Sequence, residues 1–94
     1  MSAKEMFEKL GYKLIEDSKR YLRYADYFGG NKYQGGELID FDKKNKEFRL
    51  TRKSCQGNVH FKYGTLKELQ AINKQVEELG WNKWDLKWIT LNIQ

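Results

Sequence analysis

The chain has 94 residues, of which 33% are charged and 15% aromatic, and its formal net charge is +5. This length suits a single domain over residues 1–94, and the aromatic content excludes an intrinsically disordered chain. No run of about 18 apolar residues occurs and the start of the chain is rich in charge, so neither a membrane span nor a cleaved signal peptide is predicted. The lone cysteine, Cys55, permits no internal disulfide and indicates a reducing, cytoplasmic location.

A helix is predicted near the start of the chain. Ser2 and Glu5 have the spacing of a capping box, in which each side chain accepts a hydrogen bond from the other residue's backbone N–H. Apolar side chains follow with helical spacing at Ala3, Met6, Phe7 and Leu10. Gly11 then supplies the left-handed residue that ends a helix.

The next part of the chain alternates with a period of two, which is typical of strands. Residues 12–16 and 21–28 predict a first hairpin in which Ile15 faces Leu22. Residues 29–36, GGNKYQGG, then connect this hairpin to the next one. A phosphate-binding loop would need Lys and Ser or Thr after the glycines and a helix behind them, so we interpret the segment as a flexible connection.

A second hairpin is predicted at residues 38–53, with Asp42 facing Glu47 across a four-residue loop. The register that this loop sets pairs Ile39 with Leu50, Phe41 with Phe48, and Asp40 with Arg49. A shift by one residue would place apolar side chains opposite charged ones, so the alternation favours this register.

A further strand and a second helix follow. Residues 58–63 alternate, with Val59, Phe61 and Tyr63 on one side. Residues 65–68 repeat the capping box and Gly80 ends the helical pattern. The predicted apolar stripe of this helix is Leu69, Ile72, Val76 and Leu79.

The last fourteen residues, WNKWDLKWITLNIQ, admit two interpretations. Trp84 and Trp88 belong to an alternating segment, which predicts a C-terminal strand that joins the sheet. The alternative is an arm with exposed Trp side chains that binds a partner, because Trp is frequent at interface hot spots. In the first interpretation the fold is α+β: an N-terminal helix, an antiparallel meander of four to five strands, a second helix packed on the sheet, and a C-terminal strand.

Few residues offer catalytic or metal-binding chemistry. The chain has one His and one Cys, His60 and Cys55, so no zinc-site spacing is present. A general base needs a positioned partner in a cleft, and His60 falls on the polar side of a predicted strand. We therefore expect a non-enzymatic protein that holds neither a metal nor a cofactor.

The surplus positive charge is local. Residues 43–62 carry seven basic side chains and one acidic side chain, a net charge of +6. The candidate partner-binding residues in this segment are Lys43, Lys44, Lys46, Arg49, Arg52 and Lys53, with Trp84 and Trp88 as possible anchors. We expect Arg49, Lys53 and Lys62 to share one open face, opposite Phe48, Leu50 and Phe61, and the aromatic and basic residues Tyr21, Arg23 and Tyr27 to line the same face. Such a face suits RNA or DNA, although lysines in hairpin turns also simply prevent edge pairing.

Two segments, AKEMFEKLGY at 3–12 and LKELQAINKQVEELGW at 66–81, resemble the ends of small uncharacterised proteins of phages, prophages and mobile elements of low-GC Gram-positive bacteria. The resemblance implies a non-enzymatic protein that inhibits host machinery, such as a CRISPR effector or another defence protein. Many such inhibitors are acidic and imitate DNA. A basic chain is instead expected to contact an acidic protein patch, a guide RNA or a nucleotide.

The leading hypothesis is therefore a cytoplasmic binding protein that inhibits a host defence protein or ribonucleoprotein. Two alternatives stay open. One is direct binding of nucleic acid through the basic hairpin, and the other is a structural homodimer formed through the C-terminal strand.

Overall fold

Two helices lie on one face of an antiparallel sheet in the computed structural model, which describes residues 1–81. The elements are α1 (Ala3–Lys9), β1 (Lys13–Asp17), β2 (Tyr21–Tyr27), β3 (Gly36–Asp42), β4 (Glu47–Lys53), β5 (Val59–Phe61) and α2 (Leu66–Glu78). The five strands neighbour one another in chain order, so the sheet is a meander. The predicted α+β fold with an N-terminal helix, a meander and a second helix is confirmed. The predicted C-terminal strand lies outside the described residues.

Both helices begin and end as their sequences predict. Ser2 and Thr65 cap α1 and α2 through complete capping boxes. At the helix ends the Tyr12 N–H donates to the Phe7 carbonyl at 3.0 Å, and the corresponding bond joins residues 81 and 76 at 3.2 Å. These are the long hydrogen bonds of Schellman endings, which satisfy carbonyl groups that would otherwise lack a donor.

The core lies between the helices and the sheet. Phe7 of α1 stacks on Tyr24 of β2 with ring centroids 4.2 Å apart, and Ile39 and Phe41 of β3 pack beside them. The Tyr24 hydroxyl donates to Gln75 of α2 at 2.6 Å, so this polar group is satisfied inside the core.

The buried face of α2 differs from the predicted stripe. Ile72 and Val76 are buried as predicted, but Leu69 is 47% exposed. Glu68 and Gln75 are buried in its place. The buried face of the helix includes these two polar residues because each has a hydrogen-bond partner in the interior, Lys62 for Glu68 and Tyr24 for Gln75. The spacing of the apolar residues does not reveal such partners.

The first hairpin has a β-bulge that the alternation does not show. Leu14 pairs with Tyr24 and faces the core, and the register then shifts before Glu16. Ile15 is the extra residue, and it is 44% exposed. The prediction that Ile15 faces Leu22 is wrong because a bulge places two residues of one strand opposite one of its neighbour.

The second hairpin has the predicted register throughout, from the pair Asp42–Glu47 to the pair Ile39–Leu50.

The connection between β2 and β3 contains two single 3₁₀ turns, at Phe28–Gly30 and Lys32–Gln34. It ends at Gly35, whose φ of +82° suits glycine.

The face assigned to β5 is also corrected. Val59 pairs with Lys53 and Phe61 with Thr51, so both apolar side chains lie on the sheet face that the helices leave open. Lys62 consequently points to the helix side and not to the open face. The conformation of the loop between β4 and β5 sets the register of β5, and the register sets the face on which each side chain of β5 lies. The number of residues in the loop does not by itself determine this register.

Candidate interaction surface

The predicted basic residues of the hairpin loop, Lys43, Lys44 and Lys46, lie at the tip that joins β3 to β4. The Lys43 ammonium group donates to Asp17 at 2.8 Å and to the Ser18 carbonyl at 2.7 Å, so it links this tip to the turn between β1 and β2. Lys44 and Lys46 are exposed, and no ion pair to either is formed by residues 1–81. Two of the three loop lysines therefore remain available to a partner.

The predicted basic residues of β4 do not share one surface. Arg49 and Lys53 lie on the open face, whereas Arg52 points to the helix side. Arg52 donates to Glu37 at 2.6 Å, and Arg49 donates to Asp40 at 3.0 Å. The anchors predicted beyond Trp81, Trp84 and Trp88, lie outside the described residues.

The open face contains Tyr21, Arg23 and Tyr27, as predicted, beside Arg49. Acidic residues neutralise its centre, because Arg23 forms ion pairs with Glu16 at 3.4 Å and with Asp40 at 3.7 Å. A shallow cleft of about 270 Å³ crosses this face. The open face therefore carries both positive and negative charges, and it is less suited to binding a polyanion than the basic face that the sequence predicts.

A buried ionic cluster occupies the helix side of the sheet, and the sequence did not reveal it. Lys62, with 11% of its side chain exposed, donates to Glu37 and Glu68 at 2.8 Å each and to the Tyr12 hydroxyl at 3.1 Å. These three acceptors use all three donors of the ammonium group. The Tyr12 hydroxyl in turn donates to Glu68. The cluster therefore joins the end of α1 to β3, to the chain after β5 and to α2.

The cluster shifts the ionisation of its members. Hydrogen bonds from Lys62 and Arg52 lower the pKa of Glu37. Burial alone would raise the pKa of Glu68, but the hydrogen bonds from Lys62 and Tyr12 outweigh it and lower that pKa. Burial would likewise lower the pKa of Lys62, and its bonds to Glu37 and Glu68 raise it instead. Burial, followed by the bond to Glu68, raises the pKa of Tyr12. Each of these shifts follows from the hydrogen bonds and burial within the cluster, as in a structural ion-pair network.

Five exposed apolar residues lie between the start of β5 and the start of α2. We call this group the β5 rim, and its members are Val59, Phe61, Tyr63, Leu66 and Leu69. Phe61 is 84% exposed and Tyr63 is 99% exposed. On the helix side, Leu66 and Leu69 line a groove of about 230 Å³ against Phe48 and Leu50 of β4. The rim thus surrounds one edge of the sheet.

A signal for the rim was present in the sequence. Between Phe48 and Lys67 no Asp or Glu occurs, and the apolar residues of the rim fall within eleven consecutive positions. Exposed apolar patches with polar surroundings mark interaction sites in soluble proteins. The signal was missed because Val59 and Phe61 were assigned to the core side.

Other candidates for chemistry are isolated. Cys55 is exposed in the loop before β5, and His60 is exposed within that strand. Within residues 1–81 no group of three His, Cys, Asp or Glu side chains is arranged to hold a metal ion. No described helix has the length and apolar character needed to cross a membrane.

Scans against protein-family models, curated proteins and solved structures find no match to this chain. The resemblance to proteins of phages and mobile elements therefore stays a prediction from the two helical segments.

Proposed function

We propose that the chain is a non-enzymatic binding module that contacts a protein partner through the β5 rim. The observation that carries this proposal is the exposure of Phe61 and Tyr63, two large side chains that lie outside the core formed by residues 1–81. A chain of 94 residues has little apolar material to spare, and five apolar residues of one short segment are exposed within residues 1–81, which favours a role in binding. Phe and Tyr side chains are enriched at protein interfaces.

A protein partner has more support than a polyanion. Three of the six predicted basic residues, Lys43, Arg49 and Arg52, already form ion pairs with carboxylates of the same chain. A phosphate would have to compete with those carboxylates at each position. The remaining three, Lys44, Lys46 and Lys53, are distributed between the hairpin tip and the far end of β4.

The partner that we propose first is a host defence protein or ribonucleoprotein of a low-GC Gram-positive bacterium, which the chain would inhibit by covering a surface. This part of the proposal is supported by the resemblance of the helical segments to phage and mobile-element proteins. The cytoplasm is the corresponding compartment.

The experiment compares two tyrosine variants. The purified chain, Tyr63→Asp and Tyr33→Asp are each immobilised and incubated with lysate of such a bacterium, and captured proteins are quantified by mass spectrometry. Both tyrosines are strongly exposed, but Tyr33 lies in the connection between β2 and β3, outside the rim. We expect Tyr63→Asp to lose capture of the partner by about tenfold or more, because truncated aromatic hot spots commonly cost this much, and Tyr33→Asp to retain it.

Equal capture by the two variants would contradict the proposal. Circular dichroism and thermal unfolding of each variant test for loss of fold, which we do not expect because both side chains are largely exposed.

Direct nucleic-acid binding remains the second candidate because Lys44, Lys46 and Lys53 have no ion-pair partner within residues 1–81. It predicts an affinity for single-stranded RNA or duplex DNA whose logarithm falls linearly with the logarithm of the salt concentration. Reversing the charge of Lys44 and Lys46 would then weaken binding and reduce that slope. Absence of binding at low salt would eliminate this candidate.

A further inference from the structure

We propose that the β5 rim binds an extended, acidic and apolar segment of its partner as an additional strand along the edge of β5 that residues 1–81 leave free. This inference rests on the proposed function and specifies how the rim would recognise a protein. It is carried by the hydrogen bonds of β5, by the contrast between the two edges of the sheet, and by the local charge.

The backbone bonds between β4 and β5 show which groups point outward. The Lys62 N–H donates to the Leu50 carbonyl at 3.2 Å, and the Asn58 carbonyl accepts from Ser54 at 2.9 Å. In an antiparallel pair, residues that bond to the neighbouring strand alternate with residues that do not. Val59 and Phe61 therefore direct their N–H and C=O groups away from β4, which gives two donors and two acceptors along the free edge.

The two edges of the sheet differ in how they are protected. The outer strand β1 has the charged residues Lys13, Glu16 and Asp17 and a β-bulge, all of which oppose pairing with another chain. The outer strand β5 has the sequence Val-His-Phe, without a formal charge, a proline or a bulge. Within residues 1–81 no further strand pairs with it. Of the two outer strands within residues 1–81, β5 is therefore the better suited to accept another strand.

The local charge indicates the chemistry of the partner segment. No acidic residue occurs from Phe48 to Lys67, and Lys53 and Lys67 have no ion-pair partner within residues 1–81. A second copy of this chain that paired through the same segment would bring no acidic residue to these cations, because that segment contains none. A segment with acidic residues among apolar ones complements both the cations and the exposed Val59 and Phe61 side chains. Main-chain hydrogen bonds would provide affinity and the alternate side chains specificity.

A displayed library of random linear peptides, selected against the immobilised full chain, provides the probe. We expect the enriched peptides to alternate apolar residues with Asp or Glu. The most enriched peptide is then synthesised, and its dissociation constant is measured by fluorescence anisotropy. Enrichment of basic peptides, or no enrichment, would overturn the proposal.

Two substitutions at one position separate strand addition from ordinary apolar contact. Val59→Pro removes an outward N–H without removing a bond to β4, and proline is tolerated at the first residue of an edge strand. Val59→Thr keeps both the N–H and the branched shape. We expect the peptide to bind Val59→Pro about tenfold more weakly or worse, and Val59→Thr close to the parent chain. Equal binding to both variants would overturn strand addition.

Amide exchange of the parent chain provides a second readout that needs no variant. The bound peptide should slow exchange of the Val59 and Phe61 amides and leave the edge strand β1 unchanged. Unchanged exchange at both β5 amides would overturn the proposal even if Val59→Pro does not fold.

The same variants in the lysate assay distinguish the two proposals. If Tyr63→Asp loses capture and Val59→Pro keeps it, the rim binds a protein without strand addition, and this inference is wrong. If both variants keep full capture, the proposed function itself is wrong.

Discussion

Lys62 shows how one residue can be misassigned when charge is considered apart from position. It belongs to the segment with a net charge of +6, yet it is inward-facing and contacts Glu37, Glu68 and Tyr12. Glu68 also completes the capping box of α2 by accepting from the Thr65 N–H at 2.8 Å. A single carboxylate thus fixes both the start of a helix, which the local sequence predicts, and the position of an inward-facing cation, which it does not.

Replacing this lysine is expected to destabilise the fold strongly. Lys62→Met leaves Glu68 without its cation and Glu37 with Arg52 alone. Loss of one partner of a fully buried ion pair costs about 3 to 5 kcal/mol, and we expect a loss toward the lower end of this range because Glu37 is partly exposed and keeps Arg52. Urea unfolding at neutral pH measures the change in free energy. The deficit should shrink on acidification, because the two carboxylates then become protonated and no longer need the cation.

Lys44→Met is the matched control, since Lys44 is an exposed loop residue without an ion pair within residues 1–81. We expect a change within about 0.5 kcal/mol. If Lys62→Met were equally mild, the buried ionic cluster would not stabilise the protein as described.

At the scale of elements, the sequence predicted correctly the features that depend on residues close together in the chain. It predicted wrongly the features that depend on a β-bulge or on the conformation of a loop between strands. The register from Asp42 to Glu47 followed from cross-strand pairs and a short loop, and both capping boxes followed from the spacing of two residues each. The exposed side of Ile15 depends on a bulge, and the face of Phe61 depends on the loop between β4 and β5. Neither the bulge nor the loop conformation can be recognised from the alternation of apolar and polar residues along the strands.

The connection between β2 and β3 ends in a close contact that allows a sharp prediction. Gly35 has a φ of +82°, and a Cβ atom added there would lie 2.2 Å from the Lys53 carbonyl oxygen. Gly29 also has a positive φ, +63°, but a Cβ atom added there would meet no other atom within 4 Å. Gly29→Ala should cost about 1 kcal/mol from backbone conformation alone. Gly35→Ala should cost about twice as much or more, because the backbone of β4 must also move. Thermal unfolding of both variants tests this difference, and equal losses would contradict the described packing.

At the scale of the whole molecule, the ionic cluster sets the pH range of stability. Glu37 and Glu68 have a lowered pKa, so below pH of about 4.5 the unfolded chain binds more protons than the folded chain and stability falls as the pH falls. Tyr12 and Lys62 have a raised pKa, so above pH of about 10 the folded chain retains protons that the unfolded chain loses and stability falls as the pH rises. The raised pKa of Tyr24, about 12 because of burial, acts in the same direction.

We therefore expect the free energy of unfolding, measured by urea titration at a series of pH values, to form a plateau between about pH 5 and pH 9 and to decline on both sides. A stability that continued to rise above pH 10 would contradict the assignment of Tyr12 and Lys62.

The candidate interaction surface could be predicted from the sequence only in part. The excess of cations between residues 43 and 62 favoured the second hairpin, and none of the β5 rim residues was among the predicted partner-binding residues. This excess did not show that Lys43, Arg49 and Arg52 are paired with acids from elsewhere in the chain, because those contacts form only when the sheet assembles. The exposure of Phe61 and Tyr63 depends on the arrangement of the core within residues 1–81, which the local sequence around them does not indicate.

The most direct test of the central claim is the ratio of partner captured by Tyr63→Asp to partner captured by Tyr33→Asp. A binding surface at the β5 rim predicts a ratio of about one tenth or lower, because only Tyr63 belongs to the rim. A ratio close to one would show that the partner does not contact this tyrosine and would contradict the proposed function.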